Sequence, residues 1–139
     1  MNIYYVSDEN FLESDLYKNF IRQNPEYGYL KIRAYAANQA IPISNLRVSI
    51  SKMLDNNQII FFNGYTNDSG VIENIALPAP KLATNNLDIP NTISYDIDVY
   101  DEDKITDKYK VDIYEGVYVV QNINVVPDVT SMMGGFNGS

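Results

Sequence analysis

Cysteine, histidine and tryptophan are all absent from the 139 residues of this chain. Without cysteine the chain has no disulfide, no thiolate nucleophile and no cysteine-ligated metal. Without histidine it lacks the usual general base near neutral pH and the commonest zinc ligand. Only carboxylates, lysine, tyrosine, serine and threonine remain for chemistry. We therefore expect no enzymatic activity, no catalytic residue and no cofactor.

Long apolar runs and an excess of basic residues are missing as well. No stretch approaches the ~18 apolar residues that a membrane-spanning helix needs. Residues 1–11 lack the basic start and the apolar run of a secretory signal, so we expect synthesis in a cytoplasm without a visible signal peptide. The formal net charge is −8, and phosphates and anionic lipid headgroups repel such a chain. Neither nucleic acid nor a membrane is an expected partner.

The first 24 residues predict a short strand and then an amphipathic helix. Residues 1–6, MNIYYV, have the aromatic and β-branched composition of a strand. Over residues 7–23 the apolar positions recur at helical spacing, and Ser7 or Asp8 can cap the first turn. Pro25 ends the predicted helix.

After Pro25 the apolar period changes from 3.6 residues to two, which predicts β-strands. In residues 93–101, for example, Tyr95, Ile97 and Val99 are predicted to face a core. Seven short strands between turn residues are typical of an antiparallel sandwich. The expected fold class is therefore all-β, with a short N-terminal strand and helix before the sandwich. The seven segments are 28–36, 45–53, 58–66, 71–77, 93–101, 107–115 and 117–126.

Residues 67–80, NDSGVIENIALPAP, predict a change of sheet rather than a catalytic motif. Gly70 is expected to take a positive φ after the Asp-Ser turn. Pro78 and Pro80 cannot donate a hydrogen bond to a neighbouring strand. We therefore expect the strand at 71–77 to end before them and the chain to cross to the other sheet.

The order of these segments resembles that of the prealbumin-like, carboxypeptidase-regulatory-like domains. The matching stretches are GYLKIRAYA, AIPISNLRVSIS, GYTNDSG, ALPAP, ISYDIDVYD and QNINVVP, all within residues 28–127. Within that group the chain is similar to the propeptide domain of clostridial spore-cortex-lytic enzymes and to stand-alone relatives in spore-forming Firmicutes. The resemblance implies a seven-stranded, transthyretin-like (Ig-like) sandwich. It also implies a non-enzymatic module for binding, folding assistance or assembly.

The predicted organisation has three parts: a strand–helix extension at 1–24, the sandwich at 25–128 and a Gly-rich tail at 129–139. A strand from a neighbouring subunit can cover the open edge of a sandwich. Residues 1–6 and the tail residues 132–139 are therefore predicted to contact other subunits. The alternative is that the first strand pairs with its own sheet.

Acidic residues concentrate at 96–107, DIDVYDEDKITD. Calcium prefers oxygen ligands, so Asp96, Asp98, Asp101 and Asp103 form a calcium candidate, although their spacing departs from the EF-hand loop. The alternative is a solvated strand edge and turn. A glycosidase pair would need two carboxyl groups across a cleft, which neighbouring turn residues do not provide.

Lys31, a carboxylate at Asp96 or Asp98 and an amide at Asn122 or Asn124 are the residue types of an intramolecular Lys–Asn crosslink. Such a bond requires the lysine and the asparagine to be buried together beside a carboxyl group. Strand alternation points Lys31 and both asparagines away from the core. The pattern therefore argues against a crosslink.

Tyrosine is unusually frequent, with 12 residues, and five of them fall on strand faces opposite the core. Outward tyrosines predict a contact surface for a partner subunit or for a sugar ring; the alternative is scattered surface tyrosine, which strands tolerate. The predicted interface residues are Met1, Ile3, Tyr4, Tyr5, Val6, Tyr29, Tyr35, Tyr100, Tyr114, Tyr118 and Phe136.

The sequence leads to two functional hypotheses. In the first, the chain is a structural subunit that self-assembles, as a homo-oligomer or filament, in a surface layer or on a spore surface. In the second, it is a monomeric module that docks to cell-wall glycan or to a partner protein. Both hypotheses place the protein outside the cell or on a spore.

Overall fold

The period-two segments form two β-sheets in the computed structural model, which describes residues 1–82 and 91–126. Nine strands and two short helices lie within these residues. The elements are β1 (Ile3–Tyr5), α1 (Glu9–Leu12), α2 (Asp15–Gln23), β2 (Glu26–Ala36), β3 (Ile41–Pro42), β4 (Arg47–Leu54), β5 (Asn57–Tyr65), β6 (Val71–Ala79), β7 (Ile93–Asp101), β8 (Lys104–Ile113) and β9 (Tyr118–Asn124). Neither helix in this described part is long and apolar enough to cross a bilayer.

The sheets differ in size and contain both antiparallel and parallel pairs. The larger sheet has the order β1–β5–β4–β7–β8. In the smaller sheet β2 is central, with β6 and β3 on one side and β9 on the other. The all-β class is confirmed, but the purely antiparallel arrangement is wrong, because β1 pairs with β5 and β9 with β2 in parallel. The prediction also missed β3, a two-residue strand too short to show a period.

The core lies between the two sheets and takes alternate residues from the seven longer strands, as the alternation predicts. Tyr95, Ile97 and Val99 are buried on β7. The Tyr95 hydroxyl donates to the Pro78 carbonyl across the core. The other buried apolar residues from the two sheets include Leu30, Ile32, Val48, Ile50, Ile75, Leu77, Val111, Ile113 and Ile123.

The predicted single helix at 7–23 is two helices, broken at Ser14. The Ser14 hydroxyl donates to the Phe11 carbonyl and accepts from the Tyr17 N–H. Serine side chains offer such alternatives to the helical ladder, so Ser14 ends α1 and caps α2. Asp8 caps α1 by accepting from the Asn10 N–H, as predicted.

The stretch after β5 turns as the sequence predicts. Gly70 has φ 75°, and a Cβ there would lie 2.4 Å from the Ala34 carbonyl oxygen. The Asn67 side chain accepts from the Ser69 and Val71 N–H groups. The change of sheet is confirmed, since β6 and β7 belong to different sheets. β6 runs two residues further than predicted, through Pro78, because an edge strand tolerates a missing N–H.

Candidate interaction surface

Strand β9 forms one edge of the smaller sheet, and its hydrogen bonds to β2 use alternate residues. The Tyr29 N–H donates to the Val117 carbonyl at 3.0 Å, and the Val125 N–H donates to the Tyr35 carbonyl at 2.8 Å. With the continuous register from Tyr29 opposite Tyr118 to Tyr35 opposite Asn124, the parallel ladder assigns the odd-numbered residues of β9 to β2. The even-numbered residues direct their N–H and C=O groups to the other side.

No strand within the described residues pairs with that other side of β9. The even-numbered side chains also lie on the outer face of the sheet. Tyr118 is 70% exposed and Val120 is 50% exposed, while Asn122 and Asn124 are exposed too. β9 therefore presents backbone groups that no strand pairs with, together with uncovered apolar side chains, at the same edge. Two of these groups have side-chain partners within the chain: the Asn122 carbonyl accepts from the Gln121 side chain at 3.0 Å, and the Asn124 N–H lies against the Tyr109 hydroxyl of β8.

The other sheet edges carry features that discourage strand addition. On β8, five of the ten residues are charged, namely Lys104, Asp107, Lys108, Lys110 and Asp112. β6 contains Pro78, and β1 is only three residues long. By contrast, residues 116–127, GVYVVQNINVVP, contain no charge. This uncharged run was a sequence signal for the interaction surface, but the sequence does not show which strand lies at an edge.

The outer face beside β9 is aromatic at one end and basic in the middle. The rings of Tyr29 and Tyr118 stack with centroids 4.7 Å apart and planes 17° apart. Lys31 lies next to Val120 and pairs with Glu73 on β6 at 3.2 Å. Arg33 lies next to Asn122 and is exposed. We call the outer side of β9 with Tyr29 the β9 surface.

A second exposed apolar group lies on the outer face of the larger sheet. Ile3, Gln58 and Met53 are neighbours across β1, β5 and β4, so their side chains share a face. Tyr5 lies on the same face, and Met1 lines a groove of about 410 Å³ together with Met53. Met1, Ile3, Tyr5 and Met53 are all exposed, and we call them the β1 patch.

The other residues of the N-terminal segment make their contacts within the same chain. β1 pairs with β5 of the same chain, and the Val6 N–H donates to the Ile60 carbonyl. Tyr4 stacks on Phe11 with centroids 5.0 Å apart. Of the predicted N-terminal interface residues, Tyr4 and Val6 thus have partners within the chain, while Met1, Ile3 and Tyr5 face outward.

The other predicted interface tyrosines do not form one surface. Tyr35 lies on the outer face of the smaller sheet, beside Asn124. Tyr100 lies on the larger sheet, where the Arg47 guanidinium stacks 4.3 Å from its ring centroid. Tyr114 follows β8 and is half-buried. Phe136 and the predicted tail contact lie outside the described residues.

The four carboxylates of the calcium candidate fall into two places. Asp96 and Asp98 lie on the outer face of β7, where Lys110 and Lys108 approach them at 3.7 and 3.1 Å. Asp101 and Asp103 lie at the β7–β8 turn and are exposed. In residues 1–82 and 91–126 no group of three or more acidic, histidine or cysteine side chains is placed to hold a metal. The lysines on β8 instead neutralise the carboxylates of β7.

The residues of the hypothetical crosslink are separated by the whole sandwich. Lys31 and Asn122 lie on the outer face of the smaller sheet, whereas Asp98 lies on the outer face of the larger one, opposite Ser49 and Lys108. A carboxyl group on one outer face cannot activate an amide on the other. The crosslink is therefore ruled out by the strand pairing.

The clearest pKa shifts belong to groups in or against the core. Burial raises the pKa of Tyr95 well above its ordinary value, and burial also raises the pKa of Tyr17. Lys52, whose ammonium lies 5.9 Å from the Tyr95 ring centroid and donates to the Ser94 carbonyl, has its pKa lowered by burial. These shifts belong to packing and hydrogen bonding within the fold rather than to a cleft.

Comparison of the chain with known protein families finds no matching family model. Comparison with curated proteins finds no match either. Function therefore has to be inferred from the geometry of this chain.

Proposed function

We propose that this chain is a non-enzymatic structural subunit that assembles with copies of itself through its sheet edges. The observation that carries the proposal is the β9 edge, which is uncharged, exposed and not paired with another strand within the described residues. Such an edge is a template for the addition of another strand. In a chain with a net charge of −8, an uncharged edge is also a place where two copies approach with little repulsion.

The β1 patch supports assembly beyond a dimer. It lies on the larger sheet, whereas the β9 surface lies on the smaller sheet. A subunit with two separate contact surfaces can extend into a chain or layer, because occupying one surface leaves the other available. A filament or a surface layer outside the cell or on a spore is the corresponding assembly.

The strand order supports the finer fold proposal, a transthyretin-like sandwich. Without β1 and β3, the sheets have the orders β5–β4–β7–β8 and β6–β2–β9. This leaves seven strands in two facing sheets, the number expected from the prealbumin-like resemblance. In the proposed fold β1, α1 and α2 are additions that widen the larger sheet and cover one end of the core.

The assembly proposal predicts a mass above that of the 15.8 kDa chain, rising with concentration. Light scattering behind size exclusion measures it, with negative-stain microscopy of the same fractions. Val120→Lys adds a charge to the β9 edge and should lower the mass, leaving only association through the β1 patch. Ile41→Lys makes the same charge change at a residue of β3 that is 52% exposed and belongs to neither surface, and it should leave assembly intact. A wild-type chain that stays monomeric at all concentrations contradicts the proposal.

The stacked pair of Tyr29 and Tyr118 favours a second function, docking to cell-wall glycan. One ring of the pair is 70% exposed, and exposed aromatic faces can stack on sugar rings. In this case the monomer is retained on peptidoglycan, and Tyr118→Ala weakens retention by up to about tenfold, since such a stacking contact is worth roughly 0.5–1.5 kcal/mol. Tyr65→Ala removes a ring of similar exposure, 64%, and should have no effect. Equal retention of both variants contradicts the docking hypothesis.

A further inference from the structure

We propose that two copies of this chain pair their β9 strands antiparallel, about a two-fold axis that passes beside Gln121. The proposal rests on the self-assembly proposed above and identifies its first contact. It joins two smaller sheets, each of β6, β2 and β9, into one continuous sheet across the dimer. Pairing related by a two-fold axis buries the same residues on both copies.

The alternation of inward and outward hydrogen-bonding groups along β9 is compatible with this pairing. The even-numbered residues carry the outward N–H and C=O groups, as fixed by the bonds from Tyr29 and to Tyr35. An axis beside Gln121 puts Tyr118 opposite Asn124 of the second copy, and Val120 opposite Asn122 of the second copy. All seven residues of β9 are then paired, and the four hydrogen-bonded pairs make about eight bonds between the two strands. Two of the groups change partner on pairing, since in the single chain the Asn122 carbonyl accepts from the Gln121 side chain and the Asn124 N–H lies against the Tyr109 hydroxyl.

The charge distribution favours a second copy over a charged partner. No residue from 116 to 127 is charged, so self-pairing places no like charges directly opposite one another, an arrangement that destabilises strand pairs. The nearest cations are Lys31 and Arg33 on β2. Across the dimer they are three strand spacings apart, roughly 14 Å, which exceeds the ~8 Å screening length at physiological salt.

The pairing also covers the apolar side chains that the monomer exposes. Tyr118 and Val120 gain a neighbouring strand on their open side. The stacked pair of Tyr29 and Tyr118 continues into Asn124 and Tyr35 of the second copy, which lie in the same row of the joined sheet. The exposed part of the β9 surface thus becomes a row of contacts between the copies.

A single-cysteine experiment tests the position of the axis, because the chain has no cysteine of its own. At the axis the two Gln121 residues form a non-hydrogen-bonded pair with Cα atoms about 4.5 Å apart, within the range for a disulfide. Gln121→Cys should crosslink nearly completely into dimers with a mild thiol oxidant. Asn122→Cys is the control, since its two copies lie diagonally, more than about 7 Å apart, and should stay uncrosslinked.

A proline variant of the full chain tests the backbone pairing without relying on crosslinking. Asn122→Pro removes an N–H that points away from β2, so the ladder to β2 is kept. We expect the dimer dissociation constant to rise at least about tenfold, from the lost hydrogen bonds and the added ring, with the circular dichroism of the monomer unchanged. The mass of each variant is measured by light scattering.

The outcomes separate the contact from the proposed function. Crosslinking at position 121 but not at 122, with weaker association of Asn122→Pro, supports the two-fold pairing. Oligomers that resist Asn122→Pro and leave Gln121→Cys uncrosslinked contradict this contact while leaving self-assembly in place. A wild-type monomer at every concentration overturns both proposals. If Asn122→Pro also lowers the free energy of unfolding of that monomer, the edge is covered within the chain.

Discussion

Replacing Gly28 with alanine is expected to lower the free energy of unfolding by about 2–3 kcal/mol, in the upper part of the usual range for overpacking. Gly28 is buried on β2, where the chain following β8 rests directly against it. A Cβ at this position would lie 2.3 Å from the Tyr114 carbonyl oxygen and 2.5 Å from Cγ2 of Ile113. The nearer atom belongs to the backbone, which has no rotamer to change. Urea unfolding followed by circular dichroism measures the effect.

Gly64→Ala is the matched control for Gly28→Ala. A Cβ at Gly64 would lie 2.6 Å from the Phe62 ring, a side chain that can turn away. Alanine also costs less backbone entropy than glycine in a strand. We expect the Gly64 variant to lose less than about 1 kcal/mol. Equal losses from the two variants would show that the contact with Tyr114 does not limit packing.

Alkaline pH is expected to destabilise the fold steeply, with Tyr95 as a main cause. Burial raises the pKa of Tyr95 far above its ordinary value of 10, so the folded state keeps the phenol proton that the unfolded state loses. The unfolded state then binds fewer protons, and the free energy of unfolding falls as pH rises above about 10. One such group contributes about 1.4 kcal/mol per pH unit. Below pH 10 both states are protonated and this stability is fully present.

Tyr95→Phe separates this proton from the rest of the fold. Near neutral pH the variant loses about 1–3 kcal/mol, because the buried Pro78 carbonyl loses its donor. Above pH 10 the free energy of unfolding of the variant falls less steeply. The difference in slope is about 1.4 kcal/mol per pH unit, the contribution of one proton. Tyr65→Phe, at a residue 64% exposed, should change neither quantity. Urea unfolding at several pH values measures the slope, and a slope unchanged in Tyr95→Phe would contradict the assignment.

Other groups modify the alkaline transition. The raised pKa of Tyr17, from burial first and from Tyr27 second, adds to the loss of stability. The lowered pKa of Lys52 opposes it, because the folded state sheds that proton first and the penalty for its burial disappears as pH rises. The tyrosinate absorbance of the folded protein should therefore lag behind that of the chain unfolded in urea.

Strand positions could be predicted because a half-buried strand alternates apolar and polar residues, and this alternation shows in a short stretch of sequence. The segment 93–101 matches β7 from Ile93 to Asp101, and its inward residues are buried. The helix break at Ser14 could not be predicted, because the sequence does not distinguish a capping serine from a serine within a helix until its hydrogen-bond partners are known. The parallel partners of β1 and β9 were hidden as well, because pairing joins residues far apart in the chain.

The candidate surface was predictable only in part, for the same reason. Outward positions for Tyr29 and Tyr118 follow from alternation, and the structure places both on the outer face. Their stacking follows from the register between β2 and β9, which no local pattern contains. Tyr100 shares the same alternation but lies on the other sheet under Arg47. Alternation assigns a side of a strand, and the sheet order then determines which sides form one surface.

The aromatic side chains of the N-terminal segment tie its helices to the sandwich. Each ring in the series contacts the next, with successive centroids 5.0 to 6.4 Å apart. The series is Tyr4, Phe11, Tyr17, Phe20, Phe61 and Tyr95. Because it ends at the centre of the core, detaching the first 24 residues would uncover Phe61 and the Tyr95 ring. We therefore expect the segment and the sandwich to unfold as one cooperative unit, so that removing residues 1–24 would destabilise the core itself.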